Sequence, residues 1–342
     1  MASYDVTVRG AGIFGLSIAY EAAKRGAKVQ VIETVAIGAG SSGGLVGALT
    51  PHVPDNWNEK KAFQLESLLM AQAFWDGVAR EGGMATGYAR LGRLQPIELS
   101  AGVELARARI AEATQNWGNH AVWDVRQATG AAWEPVSPSG YLVYDSLSAR
   151  LHPRRAGAAL AAAITALGGN IVFGNAEEQG QIIWATGLAG LADLGRDLGR
   201  PMGGGVKGQA ALLAHDARAL PQVYADNLHI VPHSDGTVAI GSTSENTWDY
   251  AAATDARLDV LITRARAIVP ALAEATVIDA WAGVRPRAIT RAPILGAWPN
   301  RAGHFVANGG FKIGFGMAPK IAQVMADLVL EGRDFIPPDF RI

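Results

Sequence analysis

The first part of the chain alternates between the two hydrophobic periods that distinguish strands from helices. Residues 4–9 and 28–32 are short apolar runs rich in β-branched residues, which predicts two strands. Between them, after a glycine-rich segment at 10–15, apolar residues recur every three or four positions, which predicts a helix. Gly26 is expected to end that helix, because glycine adopts the left-handed conformation of a C-cap without strain. The pattern therefore predicts a strand–helix–strand unit.

The same two patterns recur along the rest of the chain. In a helix predicted over 60–80, Gln64 and Glu66 are expected to face water, whereas Ala73 is expected on the apolar face. Four short apolar segments separated by turns follow residue 206 and predict an antiparallel sheet. The other predicted helices are 103–115, 153–167, 257–267 and 318–330, and the other predicted strands are 88–99, 141–144, 171–173, 181–185 and 305–307.

The order of these elements predicts the domain organisation. Strands and helices alternate near the start and again after residue 153, far along the chain. We therefore expect a mixed α/β and α+β protein, in which a discontinuous Rossmann-like domain carries an inserted domain built on a mixed or antiparallel sheet. The predicted boundaries are 1–78, 141–200 and 279–342 for the Rossmann-like domain, and 79–140 and 201–278 for the inserted domain.

Composition excludes several classes of function. The 342 residues are 49% hydrophobic, enough for a sizeable core, and the formal net charge of −1 gives no electrostatic footprint for nucleic acid. The absence of cysteine excludes disulfides, thiolate nucleophiles and cysteine-ligated zinc or iron–sulfur sites. No metal site is predicted. The first residues lack the features of a signal peptide, and the longest apolar stretch, 156–167, is too short to span a bilayer. A cytoplasmic location is therefore expected.

The glycine-rich segment after the first predicted strand indicates a nucleotide site. Gly10 permits a tight turn, Gly12 leaves room for a phosphate beside the backbone, and Gly15 lets the helix pack on the strand. The helix N-terminus offers unpaired N–H groups to phosphates. Glu33, which follows Gly15 by 18 positions, is suited to bind a ribose diol. A glycine-rich turn without a ligand is the alternative, and the motif alone leaves open whether the nucleotide is FAD or NAD.

Two further glycine-rich loops are candidates for the same site. Residues 38–47 are either a flexible connector or a backbone ribbon close to a flat ring, where side chains would clash. Residues 308–316 precede the helix predicted over 318–330 and direct its N-terminus toward a site that can receive negative charge. The sequence thus places glycine-bearing loops near both ends of the chain.

These segments resemble the D-amino-acid oxidase superfamily of FAD-dependent amine oxidases, and most closely its glycine/sarcosine oxidase branch associated with the thiamine pathway. The resemblance extends over essentially the full chain. The segment around Trp281 and the closing loop are its most specific parts. It rests on Gly10 to Gly15 with Glu33, Ser41 to Gly47, Val206 to Gln209, His229 to Pro232, Trp281 to Pro286, and Asn308 to Pro319.

The resemblance implies one FAD, held without a covalent bond in an extended pose. Its pyrophosphate would lie at the first glycine segment, its ribose at Glu33 and Thr34, and its flavin ring along the second loop. The closing loop would meet the pyrimidine side of the ring. The cofactor-binding residues implied are Gly10, Gly12, Ile13, Phe14, Gly15, Glu33, Thr34, Ser41, Ser42, Gly43, Gly44, Leu45, Gly187, Gly310, Phe311, Lys312, Ile313, Gly314, Phe315 and Gly316.

The resemblance also implies a reaction. An FAD-dependent oxidoreductase of this kind oxidises the C–N bond of glycine, sarcosine or a D-amino acid to an imine by hydride transfer to flavin N5, and O2 then gives H2O2. Arg285 is expected to grip the substrate carboxylate through its guanidinium fork, with Lys312 and His229 as further catalytic residues. The alternatives are a structural ion pair for Arg285 and simple packing for His229, whose imidazole is expected to titrate near neutrality.

Other functions stay open at this point. They are a dehydrogenase with an acceptor other than oxygen, a flavin domain that modifies tRNA, and a nucleotide-binding module without turnover. The branch usually has histidine at Gly310, arginine at Lys312 and tyrosine at His229, and residues 175–180 are short for the hairpin that usually walls the adenine. The expected partners are a small amine and an electron acceptor, without nucleic acid. The sequence does not determine the oligomeric state.

Overall fold

The computed structural model describes residues 3–342, and sixteen strands and seven helices occur in that part of the chain. The strands are β1 (Val6–Arg9), β2 (Val29–Glu33), β3 (Ala48–Leu49), β4 (Arg93–Pro96), β5 (Trp123–Gln127), β6 (Tyr141–Asp145), β7 (Ala149–Arg150), β8 (Asn170–Phe173), β9 (Gln181–Trp184), β10 (Gly203–Ala214), β11 (Gln222–Ala225), β12 (Leu228–Pro232), β13 (Thr237–Gly241), β14 (Thr276–Ala288), β15 (Ile294–Ala297) and β16 (His304–Asn308). The helices are α1 (Ile13–Lys24), α2 (Glu59–Gly82), α3 (Ser100–Trp117), α4 (Pro153–Ala166), α5 (Gly187–Leu198), α6 (Ala256–Ile268) and α7 (Gly314–Glu331).

One sheet has six strands in the order β15–β16–β9–β1–β2–β8. All neighbours in it are parallel except β15, which pairs antiparallel with β16 at the edge. The strands come from three distant stretches of chain, as the return of the strand–helix rhythm predicted. Parallel strands bring their carboxyl ends to one edge, where nucleotides bind in sheets of this kind. The predicted mixed α/β class is confirmed, whereas the domain boundaries stay a prediction.

A second sheet has eight strands in the order β14–β10–β13–β12–β11–β4–β6–β5. Its pairs are antiparallel except for β11 with β4, as the short segments after residue 206 predicted. The edge strand β14 has 13 residues and pairs with β10 over nearly its whole length. The sequence indicated a site in the second half of β14 but not the strand itself.

The helices that support the six-stranded sheet are packed closely together. Ten of the twelve residues of α1 are buried, and α1 packs against α4 and α7, which also cover α2. Trp75 of α2 is fully buried, and Phe74 meets the ring of Tyr20 edge to face, with 5.5 Å between centroids. The body of α1 is therefore held against the neighbouring helices. None of the helices in the described part of the chain has the length and apolar character that a bilayer crossing demands.

The prediction for one face of α2 was partly wrong. Glu66 is exposed, but Gln64 is only 2% exposed, and Ala73 lies in water. The Gln64 side chain accepts a hydrogen bond from the His52 backbone N–H at 2.8 Å and donates one to the Thr50 carbonyl at 3.2 Å. The buried amide of Gln64 thus satisfies backbone groups of the irregular segment over 50–52. Hydrophobic periodicity alone does not reveal this role.

Several element boundaries also differ from the prediction. Arg25 is the C-cap of α1, and Gly26 follows it with φ of +89°. Gly314, Phe315 and Gly316, predicted as loop, form the first turn of α7. Residues 174–180 contain no strand and connect β8 directly to β9.

The buried His233 lies beside the partly buried His152, away from the parallel strand ends. The ring centroids of His152 and His233 are 4.5 Å apart, and His233 is only 1% exposed. Its Nε2 has no hydrogen-bond partner among the described residues. Burial, and then the positive charge of His152, lower the pKa of His233 to about 3. His233 is therefore neutral in the folded protein at neutral pH.

We expect acid to weaken the fold through His233. The unfolded chain takes up this proton near pH 6.5, so the stability contributed by neutral His233 is lost as pH falls from about 6.5 toward 3. At about pH 5 the loss amounts to roughly 2 kcal/mol. His233→Phe should remove that part of the pH dependence in urea unfolding titrations, and His120→Gln, at an exposed histidine, is the control. Identical pH dependence in His233→Phe and the wild type would contradict this assignment.

Candidate active site

A cavity of about 610 Å³ is lined by both sheets, and its volume lies in the range of roughly 300–1,000 Å³ typical of ligand sites. We call its two sides the six-strand wall and the eight-strand wall. The six-strand wall includes Gly10, Glu33 and Trp184, at the carboxyl ends of β1, β2 and β9. The eight-strand wall includes His229 of β12 and Arg285 of β14. The cavity therefore lies where the fold class places a nucleotide.

The turn between β1 and α1 accepts only glycine at two positions. Gly10 has φ of +101°, and a Cβ there would lie 2.5 Å from the Ala185 carbonyl oxygen. A Cβ at Gly15 would lie 2.0 Å from the carbonyl oxygen of Gly10. Real Cβ atoms do not come so close to backbone oxygens, so β1, β9 and α1 approach one another only because both side chains are absent.

The start of α1 meets the second glycine-rich loop. Gly12 is the N-cap and has no side chain to satisfy the first helical N–H groups. Instead, the Ile13 N–H donates to the Ser42 hydroxyl at 3.0 Å. Ser42 belongs to the loop over 38–47, so this bond fixes the loop beside the helix N-terminus. The other N–H groups of the first turn are left to ligands or water.

Glu33 ends β2 with its carboxylate already oriented. One oxygen accepts a hydrogen bond from the Ala11 N–H at 2.8 Å and the other from the Val35 N–H at 3.0 Å. The oxygen bonded to Val35, Oε1, also accepts from the Thr34 hydroxyl at 3.3 Å, whereas Oε2 keeps one acceptor site for a further donor. The carboxylate is therefore oriented, with one oxygen still able to accept a hydroxyl group.

Arg285 is buried in the eight-strand wall, with 7% of its surface exposed. Its Nη1 donates to the Ser242 hydroxyl at 2.5 Å, and its Nη2 donates to the carbonyls of Thr243 and Lys207 at 2.7 and 3.2 Å. Three of the five N–H hydrogens are thus engaged, and one on Nη1 and the one on Nε remain. The fork expected from the sequence is therefore only partly free.

Among the described residues, no carboxylate forms an ion pair with Arg285. Glu245, the acid whose charge acts on it, pairs instead with Lys207 and Arg257, at 3.8 and 3.1 Å. Burial lowers the pKa of Arg285 to about 10, so the guanidinium is still charged at neutral pH. The structural ion pair considered as the alternative for Arg285 therefore does not occur among the described residues.

Three cations surround the ring of Phe311, whose φ is +42°. The side-chain charges of Arg285, Arg287 and Lys312 lie 5.4, 5.7 and 5.8 Å from the ring centroid. Lys312 lines the cavity and makes no hydrogen bond or ion pair with the described residues. Desolvation by the protein around the cavity, and then the charge of Arg285, lower the pKa of Lys312 to about 8. This part of the cavity is therefore positively charged.

His229 differs from its prediction. Its ring lies against Tyr224, with 4.6 Å between centroids, and lines the cavity. Burial, followed by the charges of Arg93 and Lys312, lowers the pKa of His229 to about 3. The expectation that it titrates near neutrality was wrong. Burial and the nearby positive charges of Arg93 and Lys312 disfavour the protonated imidazole. His229 is a neutral hydrogen-bonding group.

Most of the predicted site residues line one cavity, although their roles stay predictions. Four predicted cofactor residues lie off its walls: Gly15, Gly43, Ile313 and Gly316. Gly15 and Gly43 pack against backbone carbonyls, Ile313 is the N-cap of α7, and Gly316 is buried within that helix. Those on the walls are Gly10, Gly12, Ile13, Phe14, Glu33, Thr34, Ser41, Ser42, Gly44, Leu45, Gly187, His229, Arg285, Gly310, Phe311, Lys312, Gly314 and Phe315.

Sequence reasoning missed other residues of the walls. Arg9 and Trp184 line the cavity, and each directly precedes the backbone turn at the end of its strand. That adjacency was the available signal. Ser242 also lines the cavity, but nothing in the sequence indicated it, because its place depends on how β13 pairs with β10.

The model of the DAO family, described as FAD dependent oxidoreductase, matches residues 5–328 of the chain. The chain belongs to this family. It is therefore an FAD-dependent oxidoreductase, and the predictions of the family and of the cofactor are confirmed.

Two curated relatives match nearly the whole length of this oxidoreductase. The chain is 27% identical to a glycine oxidase of Geobacillus kaustophilus, over 95% of this chain and 93% of that protein. It is 26% identical to the bifunctional protein ThiO/ThiG of Trichormus variabilis, over 96% of this chain and 53% of that protein. The chain thus spans about half the length of the bifunctional relative.

Solved structures share the fold of this oxidoreductase. A crystal structure of glycine oxidase from Geobacillus kaustophilus has a TM-score of 0.85 at 24% identity, covering 99% of this chain and 98% of that one. An iminodiacetate oxidase from Chelativorans has a TM-score of 0.82 at 23% identity, covering 97% of each chain. At these identities the likeness shows the architecture alone.

The residues of the cavity fit FAD. Gly10 and Gly12 keep side chains away from the start of α1, where a pyrophosphate needs N–H donors. The oriented carboxylate of Glu33 suits a ribose diol. Arg285 on the eight-strand wall and Lys312 in the loop after β16 supply positive charge that suits an electron-rich ring system and an anionic substrate.

Proposed function

We propose that this oxidoreductase oxidises the C–N bond of a small amino acid, such as glycine, sarcosine or a D-amino acid, to an imine, with O2 as the acceptor that yields H2O2. The observation that supports this most is Arg285, a buried guanidinium without a carboxylate partner in the described residues, in the wall of the cavity that fits FAD. A buried charge without a counter-charge is costly, and a substrate carboxylate would supply that counter-charge. Glycine oxidases among the curated relatives support the same substrate class.

Arg285 would bind the substrate through the Nη1 hydrogen that the protein leaves free. Nη1 can donate it to the carboxylate, and a charge-assisted bond is roughly twice as strong as a neutral one. Lys312 adds a second positive charge in the same cavity. Together these side chains would fix the orientation of the substrate, and FAD, when bound, supplies the acceptance of two electrons.

The proposed reaction does not require a general acid or base from this chain. His229 is neutral, so it can position the substrate by a hydrogen bond but does not bring a charge. An amino acid that binds with a neutral amine has no proton to give up before the C–H bond breaks. Water then hydrolyses the imine to an oxo acid and ammonia, or to an oxo acid and methylamine when the substrate is sarcosine. Among residues 3–342, the partners of Arg285 are the Ser242 hydroxyl and two backbone carbonyls and include no general acid or base, which is consistent with this scheme.

We expect the purified protein to be yellow and to release unmodified FAD on denaturation. Anaerobic addition of glycine, sarcosine or a D-amino acid should bleach the flavin absorbance, and air should restore it with formation of H2O2. Bleaching with slow recovery in air would instead favour a dehydrogenase with another acceptor. If no amine bleached the flavin, the proposed activity would be rejected, and a tRNA titration would then test the nucleic-acid alternative.

A further inference from the structure

Three side chains form a row across the six-strand wall, beside the carboxylate expected to bind the ribose. Trp184 of β9 is the register partner of Arg9 of β1, and Arg9 is in turn the partner of Ile32 of β2. All three line the cavity, and Glu33 directly follows Ile32. The row therefore runs across the carboxyl ends of β9, β1 and β2, next to the carboxylate that fits the ribose of a dinucleotide.

Trp184 is held rigidly from behind. Its indole Nε1 donates to His304 Nδ1 at 3.0 Å, and the two rings are nearly parallel, with 15° between their planes. Trp298 meets the indole edge to face, with 5.7 Å between centroids. Trp184 is half-buried, so these contacts fix the ring while part of its surface remains on the cavity.

Arg9 is held over the indole ring. Its guanidinium carbon lies 5.4 Å from the centroid of the Trp184 ring, and Nη1 pairs with Glu178 at 3.3 Å. Glu178 comes from the loop over 174–180, the segment that is short for an adenine-walling hairpin. Here that loop fixes Arg9 in place and leaves the wall itself to Arg9 and Trp184.

We propose that Trp184 and Arg9 form a stacking wall for the adenine ring of FAD and that this wall makes the chain prefer FAD to FMN. A heteroaromatic base stacks on an indole ring or a guanidinium plane. Such a contact does not need specific hydrogen bonds to the edge of the base. Both side chains reach the cavity already ordered, so little conformational freedom is lost when the base binds. The proposal does not depend on which amine is oxidised.

The test measures binding to the flavin-free full chain by titration calorimetry with FAD, FMN and ADP. Trp184→Leu is expected to weaken FAD and ADP by the same factor, about 5- to 150-fold, because both ligands carry the adenine. FMN, which lacks the adenine, should bind the variant and the wild type equally. Trp184→Phe keeps an aromatic face and should restore most of the FAD affinity.

The arginine gives an independent measurement within the same wall. Arg9→Met should weaken FAD and ADP but not FMN, and Arg9→Lys, which keeps the cation, should weaken them less. If Trp184→Leu lowers the melting temperature of the flavin-free chain, the Arg9 pair decides the question. Equal loss of FAD and FMN affinity, or unchanged FAD affinity in both Trp184→Leu and Arg9→Met, would overturn the proposal.

Discussion

Replacing Arg285 by alanine should raise the KM for every carboxylate substrate by roughly 30- to 5,000-fold, since truncating one partner of a desolvated charged contact loses about 2–5 kcal/mol. FAD should remain bound, because Arg285 lies on the eight-strand wall, away from the glycine turn and from Glu33. The effect is large because Arg285 is buried, with only 7% of its surface exposed. Water therefore screens its attraction to a substrate carboxylate only weakly, and water cannot take over that attraction when the guanidinium is removed. Steady-state kinetics at saturating oxygen, together with the flavin absorbance of the variant, measure both parts.

Two further variants separate binding of the substrate from support of the fold. Arg285→Lys keeps a charge but cannot reproduce the bonds to the Thr243 and Lys207 carbonyls together with a contact to substrate, so its KM should lie between wild type and alanine. Ser242→Ala removes only the hydroxyl partner of Nη1 and should change KM slightly. An Arg285→Ala enzyme with wild-type KM and normal flavin content would remove Arg285 from the substrate site.

The features that the sequence could predict are those set by residues close together in the chain. Gly10, Gly12 and Gly15 act within one turn, and their spacing to β2 is set by the length of α1, so the motif predicted both the elements and the cavity wall. The alternation of strands and helices predicted the Rossmann-like domain for the same reason. In each case the pattern is decided by residues that are near one another in the chain.

What the sequence could not predict depends on contacts between distant segments. The neighbour relation of Arg9 and Trp184 arises only when β9 pairs with β1, and Ser242 reaches the cavity only through the pairing of β13 with β10. The low pKa of His229 likewise comes from burial by other elements and then from the charges of Arg93 and Lys312. Gln64 is buried because an irregular segment beside α2 needs its amide. Periodicity contains none of this information.

Gly15→Ala is the second change with a large expected effect, and it should act on FAD affinity more than on melting. The new Cβ would lie 2.0 Å from the Gly10 carbonyl oxygen, a backbone atom that cannot rotate away. The flavin-free chain can relax by moving the start of α1, whereas a bound pyrophosphate needs that helix N-terminus in place. The overpacking cost of about 1–3 kcal/mol is therefore felt in binding, which corresponds to FAD affinity roughly 5- to 150-fold weaker.

Gly204→Ala provides the matched control for that change. Gly204 also lies in a regular element, and a Cβ there would meet no atom within 4 Å, so this variant should bind FAD like the wild type. Titration of both flavin-free variants with FAD, combined with their melting curves, distinguishes a local clash from a general loss of structure. If Gly15→Ala bound FAD as tightly as Gly204→Ala, α1 would not need its close approach to Gly10 in order to hold the pyrophosphate, and the glycine turn would serve the packing of the sheet alone.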